Sequence, residues 1–62
     1  MNITVNGKPT ACDEGETLLE LLRRLGLMPE KIVVERNRDI VPAAAFAETV
    51  LLDGDTLELL QF

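Results

Sequence analysis

Sixty-two residues can form one domain and are too few for two. A domain of this size buries only about 60% of the surface its unfolded chain exposes. One Cys rules out an internal disulfide, so the apolar 47% of the chain, Leu and Val rather than aromatics, has to make an efficient core.

Asn2-Ile3-Thr4-Val5 alternates polar and apolar, the period of a half-buried strand. Asn6-Gly7 tolerates the positive φ angles of a two-residue hairpin turn, so Lys8 to Cys12 reads as the return strand. With that loop, Thr10 faces Ile3, Cys12 faces Met1, and all four share the core face with Val5. Pro9 has no N–H to donate, which places this second strand at a sheet edge.

Asp13-Glu14-Gly15 is a loop. Thr17-Leu18-Leu19-Glu20 has the pattern of a capping box, in which the Thr hydroxyl and the Glu carboxylate each bond the other's backbone N–H. Leu18, Leu21, Leu22 and Leu25 follow the spacing of one helix face, which predicts a helix over Thr17 to Leu25. Gly26 suits a left-handed ending with Leu27 packed back on Leu22. Arg23 and Arg24 suit the negative end of the helix dipole, and Pro29 prevents continuation.

Ile32 to Arg36 is the third strand, with Ile32 and Val34 inward. Asn37-Arg38-Asp39 is a turn, Ile40-Val41 a short strand ended by Pro42, and Ala43 to Glu48 a helical turn with Phe46 in the core. Val50-Leu51 leads to the turn Asp53-Gly54-Asp55 and a last strand, Thr56 to Phe62. One helix stripe packed on one sheet face makes a two-layer α+β domain spanning 1–62. The element order is that of the β-grasp, or ubiquitin-like, fold: a mixed sheet of four to five strands with one main helix on one face.

The composition narrows the chemistry. There is no His, Trp or Tyr, so metal sites, His-based acid–base catalysis and base-stacking platforms lose their usual residues. Eleven acidic residues against six basic ones give a net charge of −5, which disfavours nucleic acid and anionic membranes and favours a partner with a basic face. No stretch approaches about 18 apolar residues, no signal-peptide layout is present, and the lone Cys fits a reducing interior; a cytoplasmic protein is expected.

Cys12, read as inward, is expected to be a poor nucleophile. Asp13, Glu14, Glu16, Asp53 and Asp55 lack Ca²⁺-loop spacing and are expected to be solvated loop residues, the last two explained by turn chemistry. No nucleophile–base pair or metal-ligand set can be assembled, which argues against an enzyme. The last strand is more informative. Leu57 and Leu59 point to the core; Glu58, Leu60 and Phe62 point to the uncovered face, where Thr4 and Val33 also fall. Val33, Glu58, Leu60 and Phe62, with Glu35 nearby, form a candidate partner-binding patch. Apolar patches with a charged rim often mark protein partners, although single exposed apolar residues are ordinary.

The stretches VNGKPTACDEGETLLELLRRLGL, NRDIVP and ETVLLDGDTLELLQF, in this order and spacing, resemble the ThiS family of small sulfur carriers in thiamine biosynthesis. The resemblance implies a protein-bound substrate rather than an enzyme, a monomer when free, that binds no cofactor itself. Its partners would be a ThiF-like adenylating enzyme, which uses ATP and magnesium, and a ThiG-like thiazole synthase. The family's flexible tail ends in Gly-Gly, and its terminal carboxylate becomes the thiocarboxylate that donates sulfur to the thiazole. That tail is expected beyond Phe62; residues 1–62 contain no Gly-Gly, so as they stand they are not expected to carry sulfur. Two other readings stay open: a MoaD-like carrier for molybdopterin synthesis, against which the short length and Ile40-Val41-Pro42 weigh, and a ubiquitin-like interaction module without sulfur chemistry. The genuine C-terminus discriminates carrier from module.

Overall fold

The computed structural model describes all of residues 1–62. Strands β1 (Asn2–Val5) and β2 (Lys8–Ala11) are joined by Asn6 and Gly7. Both turn residues have positive φ, 49° and 81°, the conformation whose twist matches an antiparallel hairpin. Ile3 pairs with Thr10 as predicted, and the Cys12 N–H donates to the Met1 carbonyl at 2.9 Å, one step past the end of β2. Pro9 lies on β2, the outermost strand, where a missing N–H breaks no ladder.

Helix α1 spans Leu18–Arg24. Its capping box is complete: the Glu20 N–H donates to Thr17 Oγ1 at 3.2 Å, and the Thr17 N–H donates to Glu20 Oε1 at 2.9 Å. The helix ends in a Schellman motif, with the Leu27 N–H on the Leu22 carbonyl at 2.8 Å and the Gly26 N–H on the Arg23 carbonyl at 3.0 Å. Gly26 has φ +75°, which a residue with a Cβ adopts only at a cost. Leu18, Leu21 and Leu22 are buried. Leu25, expected on the same buried stripe, is 40% exposed. It is the C-cap of a seven-residue helix, so the helix stops before carrying it over the sheet.

After a 3-10 turn at Pro29–Lys31 come β3 (Ile32–Arg36) and β4 (Asp39–Val41), then a 3-10 turn at Ala43–Ala45 that delivers Phe46 into the core, then β5 (Thr56–Gln61). The five strands are ordered β2-β1-β5-β3-β4. The last strand is therefore the central one, parallel to β1 (Val5 beside Leu57) and antiparallel to β3 (Val34 beside Leu59). The core joins α1 to the inner sheet face through Ile3, Leu21, Leu22, Val34, Phe46 and Leu57, with Cys12, Leu18, Ile32 and Leu51 around them. Burying one such Leu, Val or Phe side chain contributes roughly 1.5–3 kcal/mol, which is how a domain without disulfides or metal holds together.

Two of the acidic residues expected to be solvated are not. Asp13, Glu14 and Asp53 are exposed, but Glu16 and Asp55 are buried, 9% and 5% exposed. Each has a full set of donors. Asp55 Oδ2 accepts from Arg36 Nε at 2.9 Å and from the Leu52 N–H at 2.8 Å, and its Oδ1 accepts from Asn37 Nδ2 at 3.0 Å. Glu16 Oε2 accepts from Arg24 Nε at 2.9 Å, and its Oε1 accepts from the Asp13 N–H at 3.1 Å. Arg24, read as a dipole partner of the helix, thus also anchors the preceding loop. A buried carboxylate is tolerated when it is paired and hydrogen-bonded.

Candidate functional site

The predicted patch lies on the sheet face opposite α1. β5 turns Leu57 and Leu59 toward the helix, the first buried and the second half-buried, and presents Glu58 and Leu60 outward. Leu60 stands directly across from Val33 on β3, and Glu58 across from Glu35. Phe62 follows on the outer side by strand alternation. Its backbone is still paired, with its N–H on the Lys31 carbonyl at 3.0 Å. Leu60 and Phe62 are 68% and 76% exposed, and Val33 is exposed too. Val33 and Leu60 therefore meet as a cross-strand pair, with Phe62 next along the strand and Glu58 one step before.

Ile40 belongs to the same face and sequence reasoning did not place it. It is exposed, on edge strand β4, directly across from Glu35. Ile40, Glu35 and Glu58 thus make a row over three strands beside the Val33–Leu60 pair. The signal was in Asn37-Arg38: a two-residue turn there fixes the β3–β4 register, and the register sends Ile40 outward. Like charges directly opposite across strands destabilise a sheet, so Glu35 and Glu58 do nothing for the fold by facing each other.

β5 is gripped on both flanks by asparagines that open hairpin turns. The Asn37 N–H donates to the Thr56 carbonyl at 2.8 Å, and the Thr56 N–H donates to Asn37 Oδ1 at 2.9 Å. On the other side the Leu59 N–H donates to Asn6 Oδ1 at 2.7 Å, and Asn6 Nδ2 donates to the Leu59 carbonyl at 3.1 Å. On the helix side of the sheet, past the end of α1, lies an open groove of about 370 Å³ floored by Val5, Leu25, Leu27, Ile32 and Leu59. It exists because the helix is too short to cover that end of the inner face.

The Cys12 thiol is buried, and burial pushes its pKa up; Glu16 beside it acts in the same direction, so little thiolate forms. Glu16 is held below the usual carboxylate range chiefly by its bond from Arg24, against the opposing effect of burial. For Asp55 burial is the largest single influence and raises the pKa, yet the Leu52 N–H, the Asn37 amide and the Arg36 charge together hold it below normal. No three Cys, Asp or Glu side chains converge to hold a metal ion. No helix is long and apolar enough to cross a membrane.

Comparison with known proteins points one way. Residues 3–62 match the ThiS family. A crystal structure of the thiamine biosynthesis protein ThiS from Geobacter metallireducens superposes with a TM-score of 0.88 at 42% identity, covering 100% of this chain and 94% of that one. The sulfur carrier protein ThiS of Escherichia coli is 33% identical over 61 residues, 98% of this chain and 92% of the relative. A thiazole synthase of Magnetococcus marinus is 40% identical over 62 residues, all of this chain but only 19% of that relative. The chain thus spans about a fifth of the thiazole synthases it matches.

Proposed function

The chain belongs to the ThiS family, and from that premise we propose that it is a cytoplasmic sulfur carrier of thiamine biosynthesis, a protein acted upon rather than a catalyst. In this reading the reactive group is a C-terminal thiocarboxylate on a Gly-Gly tail following Phe62. A ThiF-like enzyme, using ATP and magnesium, adenylates the terminal carboxylate; a sulfur donor then displaces AMP, and a ThiG-like thiazole synthase consumes the product. Glycine suits a tail that threads a narrow channel, because it lacks a Cβ. The likeness of the whole chain to a segment of thiazole synthases supports that partner.

Val33, Leu60 and Phe62 supply the apolar centre of the docking face, and Glu58 its acidic margin. Acidic charge steers encounter with a basic partner surface, and the apolar face holds register. The observation that supports this reading is the family match over residues 3–62, together with an apolar face on the central strand, β5, that no element covers.

Intact mass of the native protein, incubated with the adenylating enzyme, ATP and a sulfur source, tests it. A gain equal to replacing one oxygen by one sulfur is expected. A native chain that stops without glycine and never gains that mass leaves only the fold.

A further inference from the structure

β1 leaves β5 early. After Val5 the chain turns through Asn6 and Gly7 into β2, so strand pairing between β1 and β5 stops at Val5 beside Leu57, with one last bond from the Asn6 N–H to the Leu57 carbonyl at 2.9 Å. β5 runs on to Gln61. On its β3 flank the pairing continues to the end, with Ile32 beside Gln61 and Phe62 bonded to Lys31. On its β1 flank the next backbone groups are the N–H and C=O of Leu59. Both are taken by the Asn6 side chain, at 2.7 and 3.1 Å. A primary amide offers one acceptor and one donor in a plane, as a peptide group does. The Asn6 side chain stands in for the residue that β1 no longer supplies.

From this geometry we infer that Asn6 is a positioning residue for the chain end: its amide pins the last part of β5 on an otherwise open flank and so fixes the direction in which the chain leaves the sheet. The consequence for sulfur carriage rests on the function proposed above. A tail that enters a partner's site from a docked domain reacts well only if its root is held in place. Without the amide, β5 past Leu57 is held by β3 alone, and strand ends held on one side open at low free energy. The turn itself is a separate role. Glycine takes the positive φ of position 6 as readily as Asn, so Asn6→Gly removes the amide and leaves the hairpin turn. Asn6→Asp keeps the acceptor for Leu59 N–H but sets an oxygen against the Leu59 carbonyl.

The test compares the full native chain with Asn6→Gly and Asn6→Asp by amide hydrogen exchange and by ATP-dependent activation with the adenylating enzyme. The Leu59 amide is expected to exchange about tenfold faster in Asn6→Gly, and less so in Asn6→Asp, which keeps its acceptor, while core amides of β3 keep their protection. In activation, kcat is expected to fall about threefold or more with KM, set by the docking face, unchanged. Unchanged exchange at Leu59, a uniform acceleration of all amides, or faster Leu59 exchange with unchanged kcat each overturns the inference. A wild-type chain that is never activated sinks the carrier function instead, and exchange at Leu59 alone then decides whether Asn6 pins the strand.

Discussion

Arg36 Nε and Asp55 Oδ2 lie 2.9 Å apart where β3 ends and β5 begins, with the carboxylate almost wholly out of water. Arg36 also reaches the Val50 carbonyl through Nη2 at 3.1 Å, so one guanidinium ties β3 to the segment that leads into β5. Removing the carboxylate leaves Arg36, Asn37 Nδ2 and the Leu52 N–H short of an acceptor. Asp55→Ala is therefore expected to cost about 3 kcal/mol, lowering the melting temperature by roughly 10 °C or more. Thermal unfolding measures it; a loss of under about 1 kcal/mol would show that water replaces the carboxylate without difficulty.

The same pair sets an acid limit. Asp55 and Glu16 both have pKa values depressed in the folded state. A depressed carboxyl contributes stability that is fully present above its unfolded value, about 4, and is lost as pH falls through the folded value. Stability should be level from neutral pH down to about 5 and decline below about 4. In Asp55→Asn the decline should be shallower, because one of the two linked protons is gone. An equal acid slope in wild type and variant, read from urea midpoints against pH, would contradict this.

Arg38 stands at φ 74° in the β3–β4 turn, a conformation that costs a residue with a Cβ. Arg38→Gly is expected to stabilise the domain by about 0.5–1 kcal/mol, a rise in melting temperature of roughly 2–8 °C. A fall in melting temperature would mean that the arginine side chain does more for the fold than its backbone strain takes away.

Charging the outer face separates docking from folding. Leu60→Asp should change stability by less than about 0.5 kcal/mol, since Leu60 is exposed and outside the core. Affinity for the adenylating enzyme should fall at least about tenfold, as expected when a buried apolar anchor is replaced by a charge. Calorimetric titration and a thermal melt on the same sample decide it. Full affinity in Leu60→Asp would move the docking surface elsewhere.

Much of the fold was legible because its signals are local. Asn6-Gly7 announces its turn, Thr17 and Glu20 announce the helix start, and Gly26 with Leu27 its end. The two-residue periods of β3 and β5 placed Val33 and Leu60 on one outer face, and the pairing of the two strands set them opposite each other. What escaped depends on partners distant in sequence. Asp55 looked like a turn residue because nothing in Asp53-Gly54-Asp55 reveals that Arg36 and Asn37 arrive from another strand. Glu16 looked solvated because its partner, Arg24, lies eight residues on, at the far end of the helix that follows. Leu25 followed the helix period but fell at the cap, where the period no longer governs burial. Periodicity says which way a side chain points; it does not say what will be there to meet it.

β5, the fifth of these strands in chain order, sits in the middle of the sheet. During synthesis the two hairpins share no strand pairing until Thr56–Gln61 has emerged from the ribosome, and non-local pairing of this kind forms slowly. A message cut short before β5 is expected to leave two hairpins unjoined in the sheet and open to proteolysis. The outer face so depends on β5: a chain that presents Val33 beside Leu60 has, by that fact, been translated through Thr56–Gln61.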